Sequence, residues 1–214
     1  MVTAIPGSEF LTSALDIISQ SLQIPVIIFL ILFAILALVL LGSLISEFVH
    51  RKNVSADEMK RLIKELSNVG SREDMVSIVN GAEIPQTQKD DLSEIIESDL
   101  DYDSRLALAK KIVDAREKKL AKKLQLVDII TRIGPTLGLM GTLIPMGPGL
   151  AALGTGDIVT LSNAIIVAFD TTVVGIGAGA LAYVISKIRR RWYGEYIANL
   201  DVLTDIVLTR LKKI

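Results

Sequence analysis

The sequence predicts an all-α membrane protein with three transmembrane helices and long helical extensions beyond the membrane. Three observations carry that expectation. Half of the 214 residues are hydrophobic and the mean hydropathy is +0.50, a level that soluble domains rarely reach. The stretches 24–46, 127–150 and 158–186 are apolar and nearly free of charge, and each is long enough for a helix to cross a hydrocarbon core of about 30 Å. All 23 lysines and arginines lie in 51–132 or 187–213, with none in 1–23 or 151–157.

That asymmetry is hidden by a net charge of −1, yet it selects one topology. Basic residues stay on the cytoplasmic side, so the N-terminus is expected outside and the C-terminus inside, in a multi-pass protein of the cell membrane. The composition also narrows the chemistry. With no cysteine, disulfides, thiolate metal sites and a cysteine nucleophile are excluded. The single histidine, His50, cannot build a histidine metal cluster or a Ser-His triad, and it reads as a solvated side chain past an apolar run. No nucleotide loop or nucleophile–base pair stands out, so neither an enzyme nor a cofactor or metal is expected. The basic residues lack interleaved aromatics and are mixed with acids, which argues against nucleic acid.

In order along the chain, residues 1–23 hold an amphipathic segment. Phe10, Leu11, Ala14, Leu15 and Ile18 share a side, as expected of a helix lying on membrane lipids at the outer face. A basic n-region ahead of a short apolar core is missing, so a secretory signal is not expected. Pro25 suits the first turn of the first span, where its missing N–H costs nothing. Residues 47–126 form a helical domain. Ser55-Ala56-Asp57-Glu58 has a capping-box pattern, and the helix it opens is closed by Gly70. A second helix runs from Ser71 to near Gly81 and a third over 86–98. From Ser104 a longer apolar seam includes Leu106, Ala109, Val113, Leu120, Leu124 and Val127, suited to packing on neighbouring helices. Pro145, Gly147, Pro148 and Gly149 are expected to break or bend the second span at its far end. After the third span, Trp192, Tyr193 and Tyr196 read as interfacial anchors, and 187–214 as a C-terminal amphipathic helix.

The functional question lies in polar groups set inside apolar spans, where each costs several kcal/mol (~2–7) unless paired or wetted. Gly138 and Gly141, with the stripe Thr171, Gly175 and Gly179, remove bulk and let helices approach. Thr142 and Thr172 sit near the middle of spans that a short connection makes antiparallel neighbours, so their hydroxyls fall at similar depth. Such hydroxyls solvate a cation or a protonating carboxylate without trapping it. Asp170 has two open readings: a carboxyl neutral or hydrogen-bonded between helices, or one that borders the ion path. It is turned about 200° from Thr172, so both cannot point squarely into one narrow pore. Asp157, Ser162 and Asn163 lie toward the outer mouth, where they guide cations or, for Asp157, cap a helix.

These residues resemble the MotA/TolQ/ExbB proton channel family, with a layout closest to its ExbB and TolQ branch. The family's span-two signature appears as Pro135-Thr136-Leu137-Gly138-Leu139-Met140-Gly141-Thr142, and its span-three signature as Thr172-Val173-Val174-Gly175. The resemblance implies a homopentamer whose second and third spans line a pore around single-span ExbD/TolR/MotB-like subunits. In that arrangement Thr142 and Thr172 face an aspartate of the partner helix, and Pro135 bends the second span. Ion flow then drives a stator that does mechanical work outside the membrane. Two departures stand out. The run Leu143-Ile144-Pro145-Met146-Gly147-Pro148 replaces the family's continuation, and Val167 stands where several relatives carry a glutamate, which leaves Asp170, one turn further in, as the acid to test. The alternative is a non-conducting scaffold whose glycines and threonines serve only packing. A small-solute permease is disfavoured because the three spans show no inverted repeat.

Overall fold

The computed structural model describes residues 8–214, so the first seven residues of the expected outer segment lie outside the described residues. Seven helices follow one another: α1 (Ser8–Ser21), α2 (Gln23–His50), α3 (Ala56–Asn68), α4 (Arg72–Gly81), α5 (Gln86–Glu97), α6 (Tyr102–Gly154) and α7 (Ile158–Leu211), with no strand among the described residues. Three helical stretches are long and apolar enough to cross a membrane: α1 with α2, α6, and α7. The second and third apolar spans and the charged segments beside them are thus continuous helices, α6 and α7, with Pro135, Pro145 and Pro148 carried inside α6.

Two compact units are built from this chain. One contains the residues up to Ser43 with Gln125–Ser186, and the other Leu44–Leu124 with Lys187–Ile214. In the first, Val26 and Leu30 of α2 pack with Ile144 and Leu137 of α6. The outward residues of α2 stay uncovered: Ile28, Phe29, Ile35 and Leu38 are all more than half or about half exposed, as lipid-facing side chains must be. On α1, Phe10, Leu11, Leu15 and Ile18 are exposed in the same way.

The second unit has a conventional core. Leu62, Leu66, Met75, Leu92, Ile95 and Ile96 are buried against Leu200, Leu203 and Val207, and each fully buried side chain of this size contributes about 1.5–3 kcal/mol. Two serine caps hold the short helices. Ser55 Oγ accepts from Glu58 N–H and Ser71 Oγ from Asp74 N–H, both at 3.1 Å. Only the serine half of the capping box forms, because the Glu58 carboxylate is used elsewhere and accepts from Glu83 N–H at 3.2 Å. Arg116 clamps Asp91 through two hydrogen bonds of 2.6 and 2.7 Å, a bidentate pairing that matches the two planar groups.

Three expectations need correction. Gly70 does not close α3 with a left-handed turn: Val69 ends the helix in extended conformation, and the glycine with positive φ among the described residues is Gly156. Of the two outcomes expected of the Pro145–Gly149 stretch, a break or a bend, the break does not occur: α6 runs on to Gly154. In apolar surroundings an opened helix would expose several backbone polar groups, whereas a proline forfeits one bond. Tyr193 and Tyr196 are not lipid-facing anchors. Tyr193 is buried, with its hydroxyl donating to Glu47 at 3.3 Å, and the Tyr196 hydroxyl pairs with Thr87 at 2.8 Å. Trp192 stacks on Phe48 at 6.0 Å beneath the Arg51 guanidinium at 5.0 Å.

Burial, with the Glu47 carboxylate beside it, pushes the Tyr193 phenol up to about 12. A raised phenol stays protonated in the fold after the unfolded chain has ionised, so it contributes stability below the ordinary tyrosine value that is lost as pH rises through 10 to 12. Tyr193→Phe is therefore expected to flatten the alkaline fall of the melting temperature between those pH values; an unaltered slope would mean the phenol is not the titrating group.

Candidate functional site

The polar groups singled out in the spans are positioned by one seam between α6 and α7. Its glycines are read most directly by asking what a side chain would meet. A Cβ on Gly175 would lie 2.7 Å from both the Gly134 carbonyl oxygen and Gly138 Cα, and one on Gly138 would lie 3.1 Å from the Thr171 carbonyl oxygen. On Gly141 it would stand 2.6 Å from Thr171 Cβ, and on Gly179 2.6 Å from Pro135 Cδ. The backbones touch because these positions carry no side chain, and Gly179 makes the room that the ring of Pro135 occupies. Gly149 meets Ala164 in the same way, at 2.8 Å.

These contacts define a single antiparallel register. The levels 149/164, 141/171, 138/175 and 134/179 follow one another, and the Asp128–Ser186 hydrogen bond of 2.8 Å extends them toward the Arg132 end. Asp128 was not singled out from the sequence. The signal that finds it is its place one register step beyond the glycines, opposite a serine. In this register Thr142 and Thr172 share a level, as their counted depths suggested.

Helix geometry then settles which way each side chain leaves the seam. Successive residues turn about 100°, and two antiparallel right-handed helices turn in opposite senses about a common view. One residue after the contact Gly141–Thr171, Thr142 and Thr172 therefore emerge on the same side of the helix pair. Asp170, one residue before Thr171, emerges on the other side, the side on which Leu137 and Ile144 meet α2. Thr142 and Thr172 are partly covered and Asp170 is exposed. Of the four mid-span residues Thr142, Thr172, Thr171 and Asp170, the first two thus share a level and a side of the helix pair, and the others do not join them there. Thr171 is buried in the seam against Gly141.

The hydroxyl bonding has a chemical consequence. Thr142 Oγ1 donates to the Leu139 carbonyl at 2.6 Å, Thr172 Oγ1 to Ala168 at 3.0 Å, and Thr171 Oγ1 to Val167 and Ala168 at 2.9 and 3.0 Å. A hydroxyl that spends its proton on its own helix presents acceptor lone pairs to anything beside it. Thr142 and Thr172 are thus arranged to receive a proton donor or a cation rather than an anion. At the turn after α6, Asp157 accepts from Thr160 N–H at 3.0 Å and Thr160 Oγ1 at 2.5 Å, and these bonds hold its carboxyl below the usual range. It caps α7, as one of its two readings anticipated.

A sequence model of the MotA/TolQ/ExbB proton channel family matches residues 78–201, more than half of the chain and the whole of the glycine seam. No individually curated protein matches the chain.

The seam is tested by adding a methyl group. Gly175→Ala drives a Cβ into backbone that has no flexible end to move, and is expected to lower stability in mild detergent by about 1–3 kcal/mol. Gly177→Ala, with open space around it, is expected to be neutral or slightly stabilising through helix propensity. Equal effects in thermal unfolding would contradict the register.

Proposed function

The chain belongs to the MotA/TolQ/ExbB proton channel family, and from that premise we propose that it is the channel and stator subunit of an energy-transducing membrane motor. Copies of the chain, five by the family's pattern, surround the single-span helix of an ExbD/TolR/MotB-like partner. An acid on that helix exchanges protons along a path lined by Thr142 and Thr172, and ion flow is converted into relative motion of the two components. The N-terminus lies outside and the segments 47–126 and 187–214 lie in the cytoplasm, in keeping with the lysines and arginines that crowd them. Pro135 sets the course of the second span through the seam, with Gly138, Gly141, Gly175 and Gly179 holding the close approach.

The observation that carries this reading is the placement of two hydroxyls, at one level and on one side of the α6–α7 pair, with their lone pairs unspent. A protonated carboxyl or a hydrated cation passing that level finds acceptors and no fixed charge to trap it. The competing reading is a non-conducting scaffold. It draws on the same hydrogen bonds, since a threonine bonded to its own helix also serves simple packing. Asp170 is the remaining acid; lying on the other side of the seam, it reaches the path only if a second copy of the chain brings that side to it.

Proton flux into vesicles containing the protein with its partner separates these readings. Thr172→Val keeps the shape and removes the hydroxyl. It is expected to reduce flux about tenfold, the factor that one hydrogen bond to a charged group is worth at a barrier, while Thr172→Ser restores it. Unchanged flux in Thr172→Val and Thr142→Val would favour the scaffold. Asp170→Asn is expected to leave flux essentially unaltered, and a large loss would bring that carboxyl into the path.

A further inference from the structure

The second unit holds a cavity of about 860 Å³, within the range of about 300–1,000 Å³ typical of ligand sites. Its walls combine two chemistries. Val54, Met59, Leu120 and Trp192 give an apolar side, and Lys52, Lys119 and Lys123 a cationic one. The acids that reach the cavity are already engaged: Glu47 with Arg189 at 3.1 Å and Glu195 with Arg51 at 2.7 Å. None of the three lysines is paired with a carboxylate among the described residues. Lys123 leans over the Tyr193 ring at 5.9 Å.

One further feature of the wall favours an anion. Helix α5 enters it with its N-terminus, Pro85 to Gln88, where no side chain caps the helix and no acid occupies the first turn. An uncapped N-terminus carries partial positive charge and attracts an anion. Gln88 is fully buried, its Nε2 donating to the Tyr196 carbonyl at 2.9 Å, and its Oε1 has neither a partner nor exposed surface, so it offers the cavity no acceptor. The wall itself calls for an anionic group and an apolar body.

We infer that this cavity binds an anionic glycerophospholipid, with the phosphodiester on the lysines and the α5 N-terminus, and the glycerol and first methylenes along Trp192 and Leu120. Its place in the chain supports a lipid source. His50 stands four residues, about 6 Å of helix, past the apolar run that ends at Ser46, and the headgroup layer is about 5–7 Å deep. Phosphatidylglycerol carries both the net negative charge and the apolar body.

The test is native mass spectrometry of the intact complex after exchange into mixed phosphatidylglycerol and phosphatidylcholine membranes and mild delipidation. Wild type is expected to retain phosphatidylglycerol preferentially, and the double variant Lys119→Glu, Lys123→Glu to lose that preference by about fivefold per charge. Lys122→Glu makes one such charge reversal next door without lining the cavity and is expected to leave the preference intact. Equal retention of the two lipids by wild type overturns the proposal without recourse to any variant. So does an equal loss in Lys122→Glu, which would mean a diffuse surface field. Displacement of the lipid by millimolar inorganic phosphate would make the site one for a soluble anion. A change of subunit number in the double variant, with lipid retention unchanged, would make the cavity an interface between copies of the chain.

Discussion

Backbone contact between α6 and α7 is the constraint on which the membrane unit depends. In lipid, hydrophobic burial does not drive helices together, and close van der Waals packing takes its place. Gly134, Gly138 and Gly141 on one helix and Gly175 and Gly179 on the other let main-chain atoms meet where any Cβ would collide. A register made of backbone contacts has little freedom to slip, since a shift by one residue would place Thr171 or Pro135 against a helix rather than a gap. The depth and direction of Thr142 and Thr172 follow from that register, as does the separation of Asp170. The glycines and the threonines are parts of one arrangement, the first fixing where the second stand.

The second unit rests on different physics. Its core is aliphatic and buried from water, and its polar groups are held by pairing. The Arg116–Asp91 clamp takes a carboxylate that is almost fully buried, where loss of either partner would strand a charge. Against this background of paired charges the unengaged lysines of the cavity wall stand out. Cations without carboxylate partners beside an apolar wall suit something that arrives from outside the chain. A lipid held there would sit where helices of the apolar spans continue into the charged segments.

Much of the fold was legible because periodicity and caps are local. The three apolar spans, the helices opened by Ser55 and Ser71, and the amphipathic 8–21 stretch each announce themselves within a few turns of chain. What was misread depended on partners distant in sequence. Glu58 left its expected box for Glu83, and Tyr193 and Tyr196 turned inward because Glu47 and Thr87 offered hydroxyl partners. The Pro145–Gly149 run looked like a break by soluble-protein rules, but a helix surrounded by apolar groups has no water to take up opened backbone bonds.

The sequence by itself determined that the chain is helical, that three stretches are fit to cross a membrane, and that hydroxyls and one acid lie at mid-span. It also carried the motifs of the proton channel family, because those are runs of adjacent residues. Only the tertiary structure decided which of the mid-span groups share a side of the helix pair. Helical periodicity says that Thr172 and Asp170 diverge, but not which of them keeps company with Thr142. That required the contact Gly141–Thr171, since the direction of a side chain acquires meaning only relative to the neighbour against which its helix is packed.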